Sequence, residues 1–382
     1  MVYADNAATT KMSRTAIDAM LPYMETHYGN PSSLYRLGQE AAEALQSARE
    51  TVAACLGCTP REITFTSGGS EADNQALISA ARIGERKGKK HIISTAFEHH
   101  AILHTLKKLE KEGFEVELLP VGPIGTVTAQ QVADAIRPDT CLVTTMYANN
   151  EIGSILPISE IGAVCREAGV LFHTDAVQAA GHLPIDVKSQ NIDLLSFSAH
   201  KFHGPKGTGV LYARQGVFLT NLIEGGAQER GKRGGTENVP GIIGLGEAVR
   251  TYPQGAAEKM MALKTRLLTD LQEAIPTAKR NGPALDDPLC APHILSVSLS
   301  PVRSQTMLFA LEGDGIYVSA GSACAAHKQK VSGVLTAMGL SPAEADCTLR
   351  FSLCPDNTEA EMDDVAQCVK KHYELLKAYV RR

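Results

Sequence analysis

Three stretches of this sequence carry residue types that could together hold and activate a phosphorylated ring. Thr66-Ser-Gly-Gly-Ser-Glu-Ala-Asp-Asn74 lies between an apolar run and an amphipathic one. Gly68 and Gly69 let the backbone turn tightly, and Ser70 suits a helix N-cap whose free N–H groups and dipole favour a phosphate. Read alone, an ordinary capped turn with Ser70 and Asp73 as a local cap variant accounts for it better. His173-Thr-Asp175-Ala-Val-Gln178 follows the run Val170-Leu-Phe, which sets Asp175 at a strand's carboxyl end. A carboxylate there can hold a cationic ring nitrogen, or simply cap a helix. Ser196-Phe-Ser-Ala-His-Lys201-Phe-His-Gly-Pro-Lys-Gly207 follows Asp193-Leu-Leu. Partial desolvation of Lys201 in that Gly/Pro-rich turn would lower its pKa and suit it to Schiff-base formation, although a single loop lysine is more often solvated. A phosphate-type turn, a strand-end carboxylate and a strand-end amine in one sheet are together what pyridoxal phosphate requires. No P-loop or G-x-G-x-x-G fingerprint is present.

The elements that must position these groups alternate. Short β-rich runs at 63–66, 91–95, 116–119, 141–147, 170–174, 193–198 and 209–213 are separated in several places by helical patterns at 71–86, 100–111, 129–136 and 158–168. This predicts an α/β fold: a mostly parallel seven-stranded sheet with helices on both faces and ligands at the carboxyl ends of the strands. Helical spacing at 13–27 and 34–55 precedes the sheet. After a Gly-rich stretch at 224–246 come a long helix at 256–274, strands at 293–299, 316–319 and 348–353, and a closing helix at 358–380. We expect a large cofactor-binding domain over 14–254 and a smaller α+β domain formed by 1–13 and 255–382.

Composition bounds the partners. The chain has 382 residues, 44% hydrophobic and 21% charged, and a formal charge of 37 − 42 = −5, which argues against nucleic acid or an anionic membrane as the main partner. No uncharged stretch is long enough for a transmembrane helix, and no secretory signal is visible. Nine irregularly spaced cysteines read as reduced thiols, so a cytoplasmic location is expected.

The chain resembles the cysteine desulfurases, pyridoxal-phosphate enzymes of fold type I in the class V aminotransferase-like group. The resemblance rests on ten blocks in order: Asp5-Asn-Ala-Ala-Thr-Thr10, Gly29-Asn-Pro-Ser-Ser33, Phe65 to Asn74, Glu98-His99, Asn149-Asn-Glu-Ile-Gly153, His173 to Gln178, Ser196 to Gly207, Gln228-Glu-Arg-Gly-Lys-Arg-Gly-Gly-Thr236, Ser319-Ala-Gly-Ser-Ala-Cys324 and Leu349-Arg-Phe-Ser352. Its cysteine loop is similar to that of the group serving iron–sulfur assembly and tRNA thiolation. The resemblance implies that Lys201 carries pyridoxal 5'-phosphate, Asp175 pairs with the ring nitrogen, Gln178 bonds the ring hydroxyl and His99 stacks on the ring and shuttles protons. It implies phosphate contacts from Gly69, Ser70, Ser198 and His200, with Thr236 contributed by the partner subunit of a homodimer. Asn149 and Arg350 would hold the substrate carboxylate, and Cys324 would take sulfur from L-cysteine as a persulfide for an acceptor protein, an iron–sulfur scaffold or a tRNA thiolation enzyme. The chain departs from the usual family pattern at Gly69-Ser70, at Phe202-His203 and in the loop after Cys324, which lacks a proline.

Other readings stay open at this point. A selenocysteine lyase or another class V aminotransferase-like enzyme would share the scaffold, and Cys324 is the feature that separates a desulfurase from a transaminase. A catalytically idle sulfur-assembly scaffold would not need Lys201, Asp175, His99 and Arg350 together. Cys55-Leu-Gly-Cys58 lies at a helix end without the βαβ context of a redox motif, and His100 and His104 lack a third ligand, so no metal site is expected. Cys354 falls on the same strand face as Arg350 and is a candidate second sulfur acceptor, with an inert thiol the simpler reading.

Overall fold

The computed structural model describes residues 1–320 and 332–379. In chain order its strands are β1 (Val2–Tyr3), β2 (Ile63–Thr66), β3 (His91–Thr95), β4 (Glu115–Leu119), β5 (Thr140–Met146), β6 (Leu171–Asp175), β7 (Leu194–Ser198), β8 (Gly209–Ala213), β9 (Lys279–Asn281), β10 (Ile294–Ser298), β11 (Ile316–Tyr317) and β12 (Thr348–Ser352). The helices are α1 (Arg14–Glu25), α2 (Arg36–Cys55), α3 (Gly69–Glu85), α4 (His100–Lys111), α5 (Ala129–Ala135), α6 (Ile158–Ala168), α7 (Val239–Thr251), α8 (Ala256–Ala274), α9 (Ser304–Gly313), α10 (Gly333–Ala337), α11 (Pro342–Asp346) and α12 (Glu359–Lys377).

Seven strands form the central sheet in the order β2-β8-β7-β6-β5-β3-β4. Only β8 runs against the others, pairing antiparallel with β7 and β2, while β3–β4, β3–β5, β5–β6 and β6–β7 are parallel. Side chains alternate across each strand, so neighbours divide between two cores. Val143, Leu195 and Val210 pack towards α2, α6 and α7, whereas Leu142, Leu194 and Leu211 pack towards α3 and α4. Burial on both faces explains the unbroken apolar runs. A third cluster gathers Val2 and Ala4 with residues of α8, α9, α12, β10 and β12, and a small sheet β12-β10-β9 backs it.

The Gly-rich stretch after residue 224 is not all loop, because its second half is α7. Here glycine permits close helix packing. A Cβ at Gly244 would lie 2.5 Å from Met20 Sδ on α1, and one at Gly246 would lie 2.9 Å from Ala48 Cβ on α2. The short strands β1 and β9 and the helices α9, α10 and α11 also lie beyond the elements expected from periodicity.

A buried ion pair pins the segment between β8 and α7. Arg49 Nη2 and Nη1 donate to the two carboxylate oxygens of Glu229 at 2.7 and 2.8 Å, and Nη1 also donates to Ile63 O. The same carboxylate accepts from the Phe65 backbone N–H at 3.0 Å, and the guanidinium lies over the Phe65 ring. Glu229 and Arg230 both have positive φ, at 45° and 58°, a conformation non-glycine residues adopt only under constraint. Removing one partner leaves the other charge buried and unpaired, at a cost of about 3–5 kcal/mol. Glu229→Ala is therefore expected to lower stability by about that amount, read as a downward shift of the urea unfolding midpoint.

Candidate active site

The carboxyl ends of β2, β3, β5, β6 and β7 share one edge of the sheet, and a cavity of about 270 Å³ opens there. It is walled by Gly69 and Ser70 from α3, His99 from the start of α4, Asp175 and Gln178 after β6, Ser198, His200 and Lys201 after β7, and Arg350 from β12. The fold thus brings together residues as far apart in the chain as Ala7 and Arg350, 343 positions (350 − 7).

Lys201 follows β7 directly. Its ammonium donates to the carbonyls of Ala7 at 2.6 Å and Ala8 at 2.9 Å, so the N-terminal segment holds the amine at the cavity wall. Its backbone carbonyl accepts from His182 Nε2 at 3.1 Å, and His182 Nδ1 accepts from Tyr252 Oη at 2.7 Å. Burial drops the His182 pKa to about 4, so the ring is neutral and its tautomer is set by these two bonds.

Asp175 ends β6. One carboxylate oxygen accepts the Val177 N–H at 2.9 Å. Burial raises its pKa, while His99, the Val177 N–H and Lys201 lower it. Asp73, from α3, is buried nearby, and burial together with Asp175 holds it well above the usual carboxylate range. Two carboxyls this close cannot both ionise cheaply, so the protonated Asp73 leaves the negative charge to Asp175. His173 is neutral, with burial dropping its pKa to about 3, and it bridges Thr144 Oγ1 at 2.8 Å and Ser196 Oγ at 3.0 Å.

His99 caps α4 by accepting the Ala101 N–H on Nδ1 at 3.1 Å, which places its proton on Nε2. Burial lowers its pKa further. Gln178 donates from Nε2 to Ala7 O at 2.9 Å and keeps a buried Oε1 with no partner among the described residues.

At the other end the first turn of α3 meets Ser198, His200, Lys206 and Gly207 around a second, more open cavity of about 490 Å³. The free N–H groups of a helix N-terminus suit an anion. A Cβ at Gly69 would come within 2.6 Å of Val177 Cγ2, which accounts for glycine at this position. Thr236 is exposed and sits apart from its own chain's cavity, beside Phe65, Gly207 and Asn238.

Arg350 donates from Nη2 to Asp5 Oδ1 at 2.6 Å and from Nη1 to Asn150 O at 2.8 Å, and its buried Nε has no partner among the described residues. Asn149 is not on the cavity wall as the resemblance implies, whereas Asn150 is. The Asn149 amide is spent on its own loop. Oδ1 accepts the N–H groups of Glu151 and Ile152, and Nδ2 donates to Phe97 O at 3.3 Å. Cys354 is buried and burial raises its pKa, the setting of an inert thiol. Cys324 falls within 321–331, outside the described residues.

Sequence reasoning missed the carbonyls of Ala7 and Ala8, the Asp5 partner of Arg350, and the buried acids Asp73 and Glu98. Asp5, Ala7 and Ala8 lie in one conspicuous block, Asp5 to Thr10, which was the available signal.

Glu98 carries a testable consequence. Its Oε1 accepts from Thr95 Oγ1 at 2.5 Å and from the Met146 N–H at 2.9 Å, while the buried Oε2 has no partner among the described residues. Burial raises its pKa to about 8, against 4.5 ordinarily. Between those values the folded chain holds a proton that the unfolded chain has lost, so stability falls as pH rises across the interval. Glu98→Gln has no proton to lose. Its thermal midpoint is expected to gain a few degrees on the unsubstituted chain as pH is raised from about 5 to 8, and a pH-independent difference would refute this.

Known proteins share this architecture. The chain matches the Aminotransferase class-V family over residues 2–365. It is 48% identical over 373 residues to the cysteine desulfurase IscS of Clostridium botulinum (strain Hall), covering 97% of this chain and 94% of that one. It is 45% identical over 379 residues to the cysteine desulfurase IscS of Methanosarcina thermophila, covering 98% and 93%. Among solved structures, a NifS-like protein superimposes with a TM-score of 0.91 at 39% identity, covering 98% of this chain and all (100%) of the other. SspA in complex with cysteine does so at 0.83 and 38%, covering 94% and 100%.

Proposed function

The chain belongs to the Aminotransferase class-V family, among its cysteine desulfurases, and from that premise we propose that it uses pyridoxal 5'-phosphate held on Lys201 to convert L-cysteine to L-alanine. The sulfur passes to Cys324 as a persulfide. The observation that carries the reading is the Lys201 ammonium fixed by two carbonyls in a cavity that also presents Asp175 and the first turn of α3. The unpaired Gln178 Oε1 and Arg350 Nε are the polar atoms such a ligand and its substrate would satisfy.

When bound, pyridoxal phosphate supplies an electron sink that acidifies the substrate Cα–H and labilises its C–S bond. The other steps belong to the chain. Lys201 would hold the cofactor and supply the base for the substrate Cα proton. Asp175 would pair its carboxylate with the ring nitrogen. His99, with its proton on Nε2, would move protons at the substrate. Gly69, Ser70, Ser198 and His200 would hold the phosphate, joined by Thr236 from the partner subunit of a homodimer. Arg350 binds the substrate carboxylate with Asn150 beside it, and Cys324 attacks the substrate sulfur as thiolate.

The IscS names of the relatives fit an acceptor protein in iron–sulfur cluster assembly, with a tRNA thiolation enzyme as the other candidate. A selenocysteine lyase activity would use the same groups. We assign 14–254 to the cofactor-binding domain and 1–13 with 255–382 to the smaller one. No helix among the described residues is long and apolar enough to cross a membrane. The cytoplasmic location proposed for the chain rests on its irregular cysteine spacing.

Borohydride reduction of the loaded enzyme followed by peptide mapping is expected to place the pyridoxyl group on Lys201. Label on Lys206 would displace the assignment. Cys324→Ala is expected to keep the bound cofactor and its visible absorbance while alanine release from L-cysteine falls to near background and no protein persulfide forms. Loss of the cofactor would make Cys324 structural, and full alanine release would mean that another thiol attacks the sulfur.

A further inference from the structure

Away from the cavity, α8 buries a lysine that the reaction does not use. Lys264 is 2% exposed, and its Nζ donates to Cys290 Sγ at 3.0 Å and to Ala291 O at 2.7 Å. Among the described residues no carboxylate lies within ion-pair distance of it. Cys290 is buried too, and among the described residues the one other polar contact of its thiol is a long 3.9 Å approach to Pro283 O. A buried lysine without a counter-charge is costly unless it gives up its proton. Burial does lower the Lys264 pKa, which favours an amine with a lone pair beside the sulfur.

We propose that Lys264 and Cys290 are an oxidative modification site, at which dioxygen joins the two side chains through one oxygen atom as Nζ–O–Sγ. The contact already sets nitrogen and sulfur at a separation that one bridging oxygen spans with little movement, and both side chains are buried. The balance closes with dioxygen alone. The amine gives up one N–H hydrogen and the thiol its S–H hydrogen, the O–O bond breaks, N–O and O–S bonds form, and the second oxygen leaves as water. Nitrogen and sulfur together lose the four electrons that dioxygen takes. Two equivalents of a dithiol return four electrons and restore amine, thiol and a second water.

The site is placed to matter. The residues flanking Cys290 clamp the loop that follows Asn149. Ile155 N–H donates to Leu289 O, Ala291 N–H donates to Gly153 O, and Ser154 bridges Cys290. Asn150 in that loop accepts from Arg350. The link would tie α8 to this clamp. Its chemistry does not depend on the desulfurase reading.

The test uses the full chain, purified with its cofactor without oxygen and then exposed to air or to isotopically heavy dioxygen. Free thiols are alkylated under denaturing conditions, and tryptic peptides are read by mass. A joined pair of peptides is expected, one containing Lys264 and one containing Cys290, heavier than their sum by one oxygen and lighter by two hydrogens. Trypsin should fail to cut after Lys264. The bridge should carry the heavy label, disappear on treatment with dithiothreitol and be missing from Cys290→Ser. Should that variant not fold, the comparison of air-exposed with dithiothreitol-treated chain still decides. Complete alkylation of Cys290 after air exposure would overturn the proposal. So would oxygen added to Cys290 with Lys264 still cleaved, or a bridge without the label.

Discussion

The carbonyl of Ala7 is the contact on which the site depends. It accepts from Lys201 Nζ at 2.6 Å and from Gln178 Nε2 at 2.9 Å, so one backbone oxygen sets two side chains from different strand ends. Around it the same short segment makes further long-range ties at this edge of the sheet. Ala8 takes a second bond from Lys201, Thr9 and Thr10 bond to His200, Thr10 Oγ1 also takes the N–H of His203, and Asp5 pairs with Arg350. A lysine side chain has many rotamers, and two carbonyl acceptors remove most of that freedom before any ligand arrives.

Electrostatics completes the arrangement by subtraction. Asp73, Glu98, His173 and His200 all carry ionisable groups near the cavity, and burial drives each towards its neutral form. Burial pushes Asp175 up as well, but His99, the Val177 N–H and Lys201 pull it back down. Of the two neighbouring acids it is therefore the one that holds the negative charge, beside the Lys201 amine and the Asp5–Arg350 ion pair. The neutral members contribute shape and hydrogen bonds without adding competing fields.

Much of this was legible in the residues. Strand–helix alternation located the parallel sheet, and the positions just past 175 and 198 were marked as ligand-facing because parallel strands share a carboxyl edge. Helix α7 escaped because Gly241, Gly244 and Gly246 read as loop, whereas in three dimensions Gly244 and Gly246 let α1 and α2 approach closely. Asn149 and Asn150 are identical and adjacent, so nothing in the residue types says which amide faces the cavity; the bonds of the Asn149–Ser154 loop decide it. Backbone acceptors such as Ala7 O carry no side-chain signature at all. Buried acids likewise look like surface acids until the packing is known.

The pairing of β1 with β11, and of Asp5 with Ser352 and Arg350, has a further consequence in the order of assembly. Asp5 and Arg350 are separated by 345 positions along the chain. On a ribosome the large sheet can form while synthesis continues, but the segment that clasps Lys201 waits for partners that emerge last. Until then that segment has nothing in the smaller sheet to hold it, and closing so long a loop is slow. The lysine therefore reaches its working geometry only in a chain translated through β12, and a truncated product carries every cavity residue of the sheet yet no assembled site.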